Sequence, residues 1–364
     1  MGDWLVTLDL NRRGFLAASL ATGAVAVGVV PLTAGRARAA GMPPRFTPLS
    51  QMTGTVTPTP LCFAPAGLFP QAGSGRLTVE GRRVTLRQLA RAPQRRANVV
   101  FELAGNGADP AAGAGGCDVA LGQMHAADWQ GVALSDLIDL RGRDGDAEVL
   151  VHGLDGTVAL PAWKAADDVM IATAMNGAPV GDWHGGPLRL VVPGWEGALW
   201  MRGVLAVELS ADRWTAAIPA TAGGKSTDSL HASRGGRWSH VLAVNSVVTS
   251  PSRSTALRPG AARIEGLAWT GAGSVAAVDV TLDGGRHWQA ARVTPAGNRG
   301  ALQRFVLEVR WDGRPLTVAS RATDSTGATQ APAGAWALAP ARLAGRHVNE
   351  IRTWSVGSDG RVIL

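Results

Sequence analysis

Cys62 and Cys117 are the only cysteines in 364 residues, and tyrosine is absent. A thiolate is a nucleophile and a soft metal ligand, so each cysteine is a candidate for chemistry. Two sulfurs are too few for a structural zinc site, and no Cys-x-x-Cys-His run is present to attach a haem. In an oxidising compartment the pair could form a disulfide, provided the fold brings their Cα atoms within ~6 Å. The other reading of Cys62, set in a mostly apolar stretch, is a small core residue. Among seven histidines, His184 stands between Trp183 and Gly185-Gly186, the surroundings of a turn. Arg189 follows in an apolar run. A guanidinium there either pairs with a surface carboxylate or grips a phosphate with two parallel hydrogen bonds. Trp129, Trp195, Trp269 and Trp354 read as core or interface packing.

The elements that must position these groups are short. Leu77–Glu80 and Arg83–Leu86 form a hairpin-like pair around Gly81, and a helix starts between Thr85 and Leu89. Asn98–Leu103 reads as a buried strand, and Val132–Leu140 carries apolar residues at helical spacing. Val149–Val151 and Thr157–Leu160 flank the hairpin signal Asp155-Gly156. Pro187–Val192 and Val204–Leu209 are further strands. Residues 211–237 are polar and Gly/Ser/Thr-rich, as a linker would be. After it, Val241–Val248, Ala262–Trp269, Ser274–Leu282, Gln289–Val293, Arg304–Trp311 and Leu316–Thr323 alternate in short runs separated by turns such as Asp283-Gly284-Gly285. That spacing predicts a β-sandwich.

The leader sets the expected compartment. Asn11-Arg12-Arg13-Gly14-Phe15-Leu16 is a twin-arginine export motif, followed by an apolar run to Leu32 and the small-x-small site Ala37-Arg38-Ala39. The run is broken by Gly23, Gly28 and Pro31 and barely reaches the length needed to span hydrocarbon, which favours a cleaved signal over an anchor. A periplasmic mature protein from about Ala40, without a membrane span, is the expectation. The net charge is +7, carried almost wholly by arginine, since Lys164 and Lys225 are the only lysines. The excess is scattered, with no basic helix interleaved with aromatics, which speaks against a nucleic-acid partner. The mature length suits two domains.

Residues 100–107, Val-Phe-Glu-Leu-Ala-Gly-Asn-Gly, resemble the Glu-Cys-Ala-Gly-Asn signature of the sulfite oxidase family. Further stretches resemble the same family in the same order: Asp128-Trp129-Gln130-Gly131-Val132, Ala165-Ala166-Asp167-Asp168 to Asn176-Gly177, His184-Gly185-Gly186-Pro187-Leu188-Arg189 and Pro193-Gly194-Trp195-Glu196-Gly197. In the second half, Gly266-Leu267-Ala268-Trp269, Asp283-Gly284-Gly285-Arg286-His287-Trp288 and Ser320-Arg321-Ala322-Thr323-Asp324 are similar to the associated sandwich, as is the tail from Asn349 to Val356. Within that family these stretches resemble the molybdenum subunit of the sulfane dehydrogenases of sulfur oxidation. The resemblance implies an α+β molybdopterin-binding domain over residues 41–210, then an immunoglobulin-like β-sandwich dimerisation domain over 238–364. It implies molybdenum-dependent oxidation of sulfite or sulfane sulfur, a homodimer, and a c-type cytochrome partner that takes the electrons. It places Asn106, His184, Arg189 and Arg202 at cofactor-binding positions.

The resemblance fails at the metal. Leu103 stands where the family has its molybdenum-binding cysteine, and leucine offers no lone pair. The family's Arg-Asn-His segment falls on Pro65-Ala66-Gly67, and its active-site tyrosine has no counterpart. Cys62 lies close enough along this loop to be considered as a replacement ligand. Two functions compete: an oxidoreductase with unusual ligation, and a non-catalytic relative retained as a structural or binding subunit.

Overall fold

The computed structural model describes residues 43–64, 73–103, 105–107, 116–142, 147–210, 240–335 and 348–363. The leader, the Pro65-Ala66-Gly67 segment and the 211–237 linker lie outside them. No helix among the described residues is long and apolar enough to cross a membrane.

The first half is built from two small sheets. One has the order β2-β1-β10-β5-β6, from β1 (Leu77–Val79), β2 (Arg82–Val84), β5 (Glu148–Gly153), β6 (Gly156–Pro161) and β10 (Ala206–Ser210). The hairpins at Gly81 and Asp155-Gly156 form as their turn residues predict. Helix α1 (Leu86–Arg91) follows β2, and its start is fixed by a reciprocal cap: Thr85 Oγ1 accepts from Gln88 N, and Gln88 Oε1 accepts from Thr85 N.

The other sheet carries the site. Strands β3 (Arg95–Glu102), β4 (Met124–Ala133), β7 (Met170–Met175) and β8 (Ala178–Pro179) pair in that order, with β9 (Arg189–Val191) also on β7. The helices are short: α2 (Cys117–Ala120), α3 (Leu134–Leu137) and α4 (Ala162–Asp167). The helix read over Val132–Leu140 is corrected here. Residues 130–133 pair with β7, the first two of them also with β3, leaving one helical turn at α3. Apolar spacing could not separate these outcomes, because β4 is buried on both faces and so lacks an alternating pattern.

That double burial organises the molecule. Val99, Phe101, Ala127 and Trp129 face a core made by the first half. Val100, Met124 and Ala126, one residue out of phase, face a core that is continuous with the sandwich. Strands β3 and β4 thus form the wall between the domains.

The named strands of the second half all pair antiparallel. Strands β11 (Asn245–Ser250), β12 (Gly260–Trp269), β15 (Gln303–Trp311) and β14 (Gln289–Val293) lead into β13 (Val275–Thr281), β16 (Leu316–Asp324), β17 (Thr353–Val356) and β18 (Val362–Ile363). β14 pairs with β13 through Gln289–Ala291 and with β15 through Arg292–Val293, passing from one layer to the other. The layers meet where Ser246 Oγ on β11 donates to Ser320 Oγ on β16 at 2.9 Å. The first strand begins at Asn245 rather than Val241, which instead bridges to Trp195 of the first domain.

Candidate cofactor site

Strand β9 brings Arg189 into the first core. Its side chain is 6% exposed. The guanidinium carbon lies 4.8 Å from the Phe101 ring centre, 5.8 Å from Trp129 and 6.0 Å from Trp200. Nη1 donates to the His184 carbonyl at 2.6 Å, whereas Nε has no partner. No carboxylate pairs with it among the described residues. Burial, helped by the neighbouring Arg202, draws its pKa down to about 9, with Asp155 pulling weakly the other way. The surface-carboxylate reading of Arg189 is therefore excluded. This is a buried cation held by aromatic faces, with donor capacity to spare.

His184 ends a 3-10 turn, Asp182–His184, and is buried with its pKa lowered to about 4, first by burial and then by Arg189. Gly185 follows at φ 81°, a left-handed conformation, and a side chain there would meet Arg202 Cγ at 2.6 Å. Arg202 is packed this closely because it is fully engaged: Nε donates to Asp155 Oδ2 at 2.8 Å, and Nη2 donates to Oδ1. Its charge is neutralised by the β5–β6 turn. Replacing Asp155 by Asn should cost about 2–3 kcal/mol in urea unfolding, because one partner of a largely buried pair would be left uncompensated.

Asn106 holds the loop in place. Its Nδ2 donates to Glu102 Oε1 at 2.7 Å and to the Leu121 carbonyl at 3.0 Å, and its Oδ1 accepts from Gln123 N at 3.0 Å. The turn after Leu103 is thereby tied to β3 and to the end of α2. From the second domain, Trp269 Nε1 donates to Glu102 Oε2 at 2.7 Å, and Arg352 donates to the Gly107 carbonyl.

His125 on β4 escaped the sequence reading. It is 3% exposed, it stands directly across the ladder from Phe101, and neither ring nitrogen has a partner. Its ring lies 5.1 Å from Phe101, 5.6 Å from Phe63 and 5.7 Å from His184. Burial, then the charges of His184 and Arg189, hold its pKa well below the ordinary value, so the ring is neutral at pH 7. The signal was present: His125, Ala127 and Trp129 alternate on one face of a strand whose other members there are apolar.

Neither cysteine supplies the missing thiolate. Both are free and buried, so the disulfide does not form. The Cys62 thiol donates to the Thr57 and Pro58 carbonyls, and burial pushes its pKa up to about 12. Cys117 is raised well above the ordinary value, chiefly by burial and secondly by Asp118. No group of three or more His, Cys, Asp or Glu side chains gathers to hold a metal among the described residues.

A two-layer domain with a buried, unneutralised arginine at its site, joined to an antiparallel sandwich, defines the class. Residues 71–218 match the oxidoreductase molybdopterin binding domain, and residues 237–351 match the Mo-co oxidoreductase dimerisation domain. The chain belongs to the sulfite oxidase family. It is 32% identical to sulfite oxidase of Gallus gallus over 240 residues, covering 57% of this chain and 50% of that protein. It is also 32% identical to mitochondrial sulfite oxidase of Homo sapiens over 200 residues, covering 47% and 35%. The chain thus spans half or less of the length of these curated relatives. The crystal structure of the sulfane dehydrogenase SoxCD from Paracoccus pantotrophus superposes with a TM-score of 0.71 at 32% identity, covering 87% of this chain and 85% of that one.

The family's cofactor is molybdopterin with molybdenum. The orphaned Nε of Arg189, a donor on a buried cation, fits an anionic group such as the pterin phosphate. The thiolate that the family gives the metal does not fit, since Leu103 and two protonated thiols are what the chain offers.

Proposed function

We propose that this chain is an oxidoreductase subunit of the sulfite oxidase and sulfane dehydrogenase type, working in inorganic sulfur oxidation. It holds molybdopterin through Arg189, with His184 beside it and Arg202 fixing the adjoining turn. When bound, the cofactor supplies two-electron redox chemistry at molybdenum. The chain's own part is to grip the anionic cofactor, exclude water with Phe101, Trp129 and Trp200, and hold the imidazoles neutral. Export by the twin-arginine route places it in the periplasm. It pairs with a second copy through the second domain and passes electrons to a c-type cytochrome.

The observation that carries this reading is the uncompensated charge of Arg189 inside an aromatic core. Such a charge is costly unless an anion meets it. Leu103 favours a second reading, a non-catalytic relative that keeps the pterin and has lost turnover. The test is pterin fluorescence and sulfite-dependent cytochrome c reduction on protein exported from a molybdenum-replete host. About one pterin per chain with turnover supports the first reading, and pterin without turnover supports the second. Absence of pterin overturns both.

A further inference from the structure

A cavity of about 210 Å³ opens between the two domains, apart from the site already described. The first domain supplies Ser50 and the start of α2, from Gly116 to Asp118, and the second supplies the turn after β11 with side chains from β17 and β18. It has room for several waters or one small molecule, and domain junctions are a common place for such sites. One wall is apolar, made by Val248, Pro251, Trp354 and Val362, all of them buried.

The opposite rim is polar, and its acceptors are largely spent. Asp118 Oδ1 accepts from Ser50 N at 2.6 Å and from the Cys117 thiol at 3.5 Å, and Oδ2 accepts from Ser50 Oγ at 2.7 Å. Ser252 Oγ accepts from Ser254 N at 3.2 Å and from Thr255 N at 2.9 Å, which fills both of its lone pairs. Its own proton therefore goes to Ser254 Oγ, 3.1 Å away. Ser254, whose side chain is exposed, is left with an O–H to give. Beside it Arg253 adds a cation with five N–H groups. A side chain at Gly116 would come within 3.9 Å of Arg253 Cγ and Cδ, so the arginine stem lies across the gap between the domains. The surplus on this rim is of donors, and it faces an apolar wall.

We propose that this cavity binds a small organic monoanion, a carboxylate or sulfonate on a short alkyl chain. The anionic head takes the Ser254 hydroxyl and the Arg253 guanidinium, whose fork suits two oxygens at once. The alkyl chain lies on Val248, Pro251 and Trp354. Ser252 is a positioning residue, because its hydrogen bonds decide which proton Ser254 has to offer. The Asp118 carboxylate on the α2 side sets the preference for one negative charge over two. A molecule seated here touches both domains and stabilises the folded chain. The proposal is independent of the pterin reading.

The test is calorimetric titration of the exported protein at low salt with butyrate and propane-1-sulfonate, using sulfate and 1-butylammonium as controls. Wild type is compared with Arg253→Met, Ser254→Ala and Arg361→Met. Arg361 donates to the Arg253 carbonyl at 2.9 Å but does not line the cavity. Wild type is expected to bind one organic monoanion per chain with a Kd of about 0.1–1 mM and to melt higher in its presence. Sulfate and butylammonium should bind about tenfold more weakly or not at all. Arg253→Met should lose roughly tenfold or more and Ser254→Ala about fivefold, with ligand-free melting unchanged in both. Arg361→Met should bind as wild type does. Tighter binding of butyrate or of the sulfonate then assigns the head group. No heat with either organic anion overturns the proposal, and so does butylammonium binding in their place. Equal affinity for sulfate, or a loss in Arg361→Met matching that in Arg253→Met, also overturns it by showing attraction to surface charge alone.

Discussion

Replacing Arg189 by Met should make the empty protein more stable and abolish its hold on pterin. The guanidinium is buried and unneutralised, with its pKa drawn well down from the ordinary arginine value to about 9. At roughly 1.4 kcal/mol per pKa unit, the charged form carries a burial penalty of about 5 kcal/mol at neutral pH. Its ring contacts and its bond to the His184 carbonyl return part of this, at about 1 kcal/mol or more each. The net expectation for Arg189→Met is a gain of about 1–3 kcal/mol, read as a rise in melting temperature of roughly 3–8 °C by calorimetry on cofactor-free protein. The sign of the pH dependence follows from the depressed value. From about pH 9 upward the unfolded chain keeps a proton that the folded chain loses, so wild-type stability attributable to this group rises with pH there. The Met variant should lack that rise. A lower melting temperature in Arg189→Met would show that the arginine is a structural residue and not a waiting anion site.

The second large effect is expected at Glu102→Ala. This side chain is fully buried between the domains and accepts from Trp269 Nε1 and Asn106 Nδ2, both at 2.7 Å. Truncation would strand two buried donors and open a cavity in the wall shared by both cores. A loss of about 3–5 kcal/mol is expected, lowering the melting temperature by about 10 °C. Glu102→Gln keeps the volume and one acceptor oxygen, so it should recover about half of that loss. Because Asn106 is anchored on Glu102, the alanine variant should also loosen the turn after Leu103, seen as faster amide exchange at Gly105–Gly107. A loss below 1 kcal/mol would mean that the Glu102 hydrogen bonds contribute little to holding the two domains together.

The sequence was informative where a local rule decides the outcome. The Thr85 cap with Gln88, the turns at Gly81 and Asp155-Gly156, and the run of alternating strands after residue 241 all form as their residues predict, because each depends on neighbours a few positions away. The four tryptophans are buried as expected. The helix expected over Val132–Leu140 shortened to the single turn Leu134–Leu137, because Val132 and Ala133 belong to β4, and a strand buried on both faces has no period to mark where it ends. Whether Cys62 and Cys117 pair, and whether Arg189 sits at a surface, were equally out of reach. Both turn on what comes from far along the chain.

The sequence by itself determined the family frame, the order of the two domains and the absence of a thiolate at residue 103, since these are written in residue types and their order. Only the tertiary structure decided which charges are compensated. Arg202 meets Asp155 across a turn while Arg189, on a neighbouring segment, meets aromatic rings, and nothing in their composition distinguishes the two. It also brought His125 opposite Phe101, because cross-strand register is set by packing on both sides of a sheet and not by the strand's own residues.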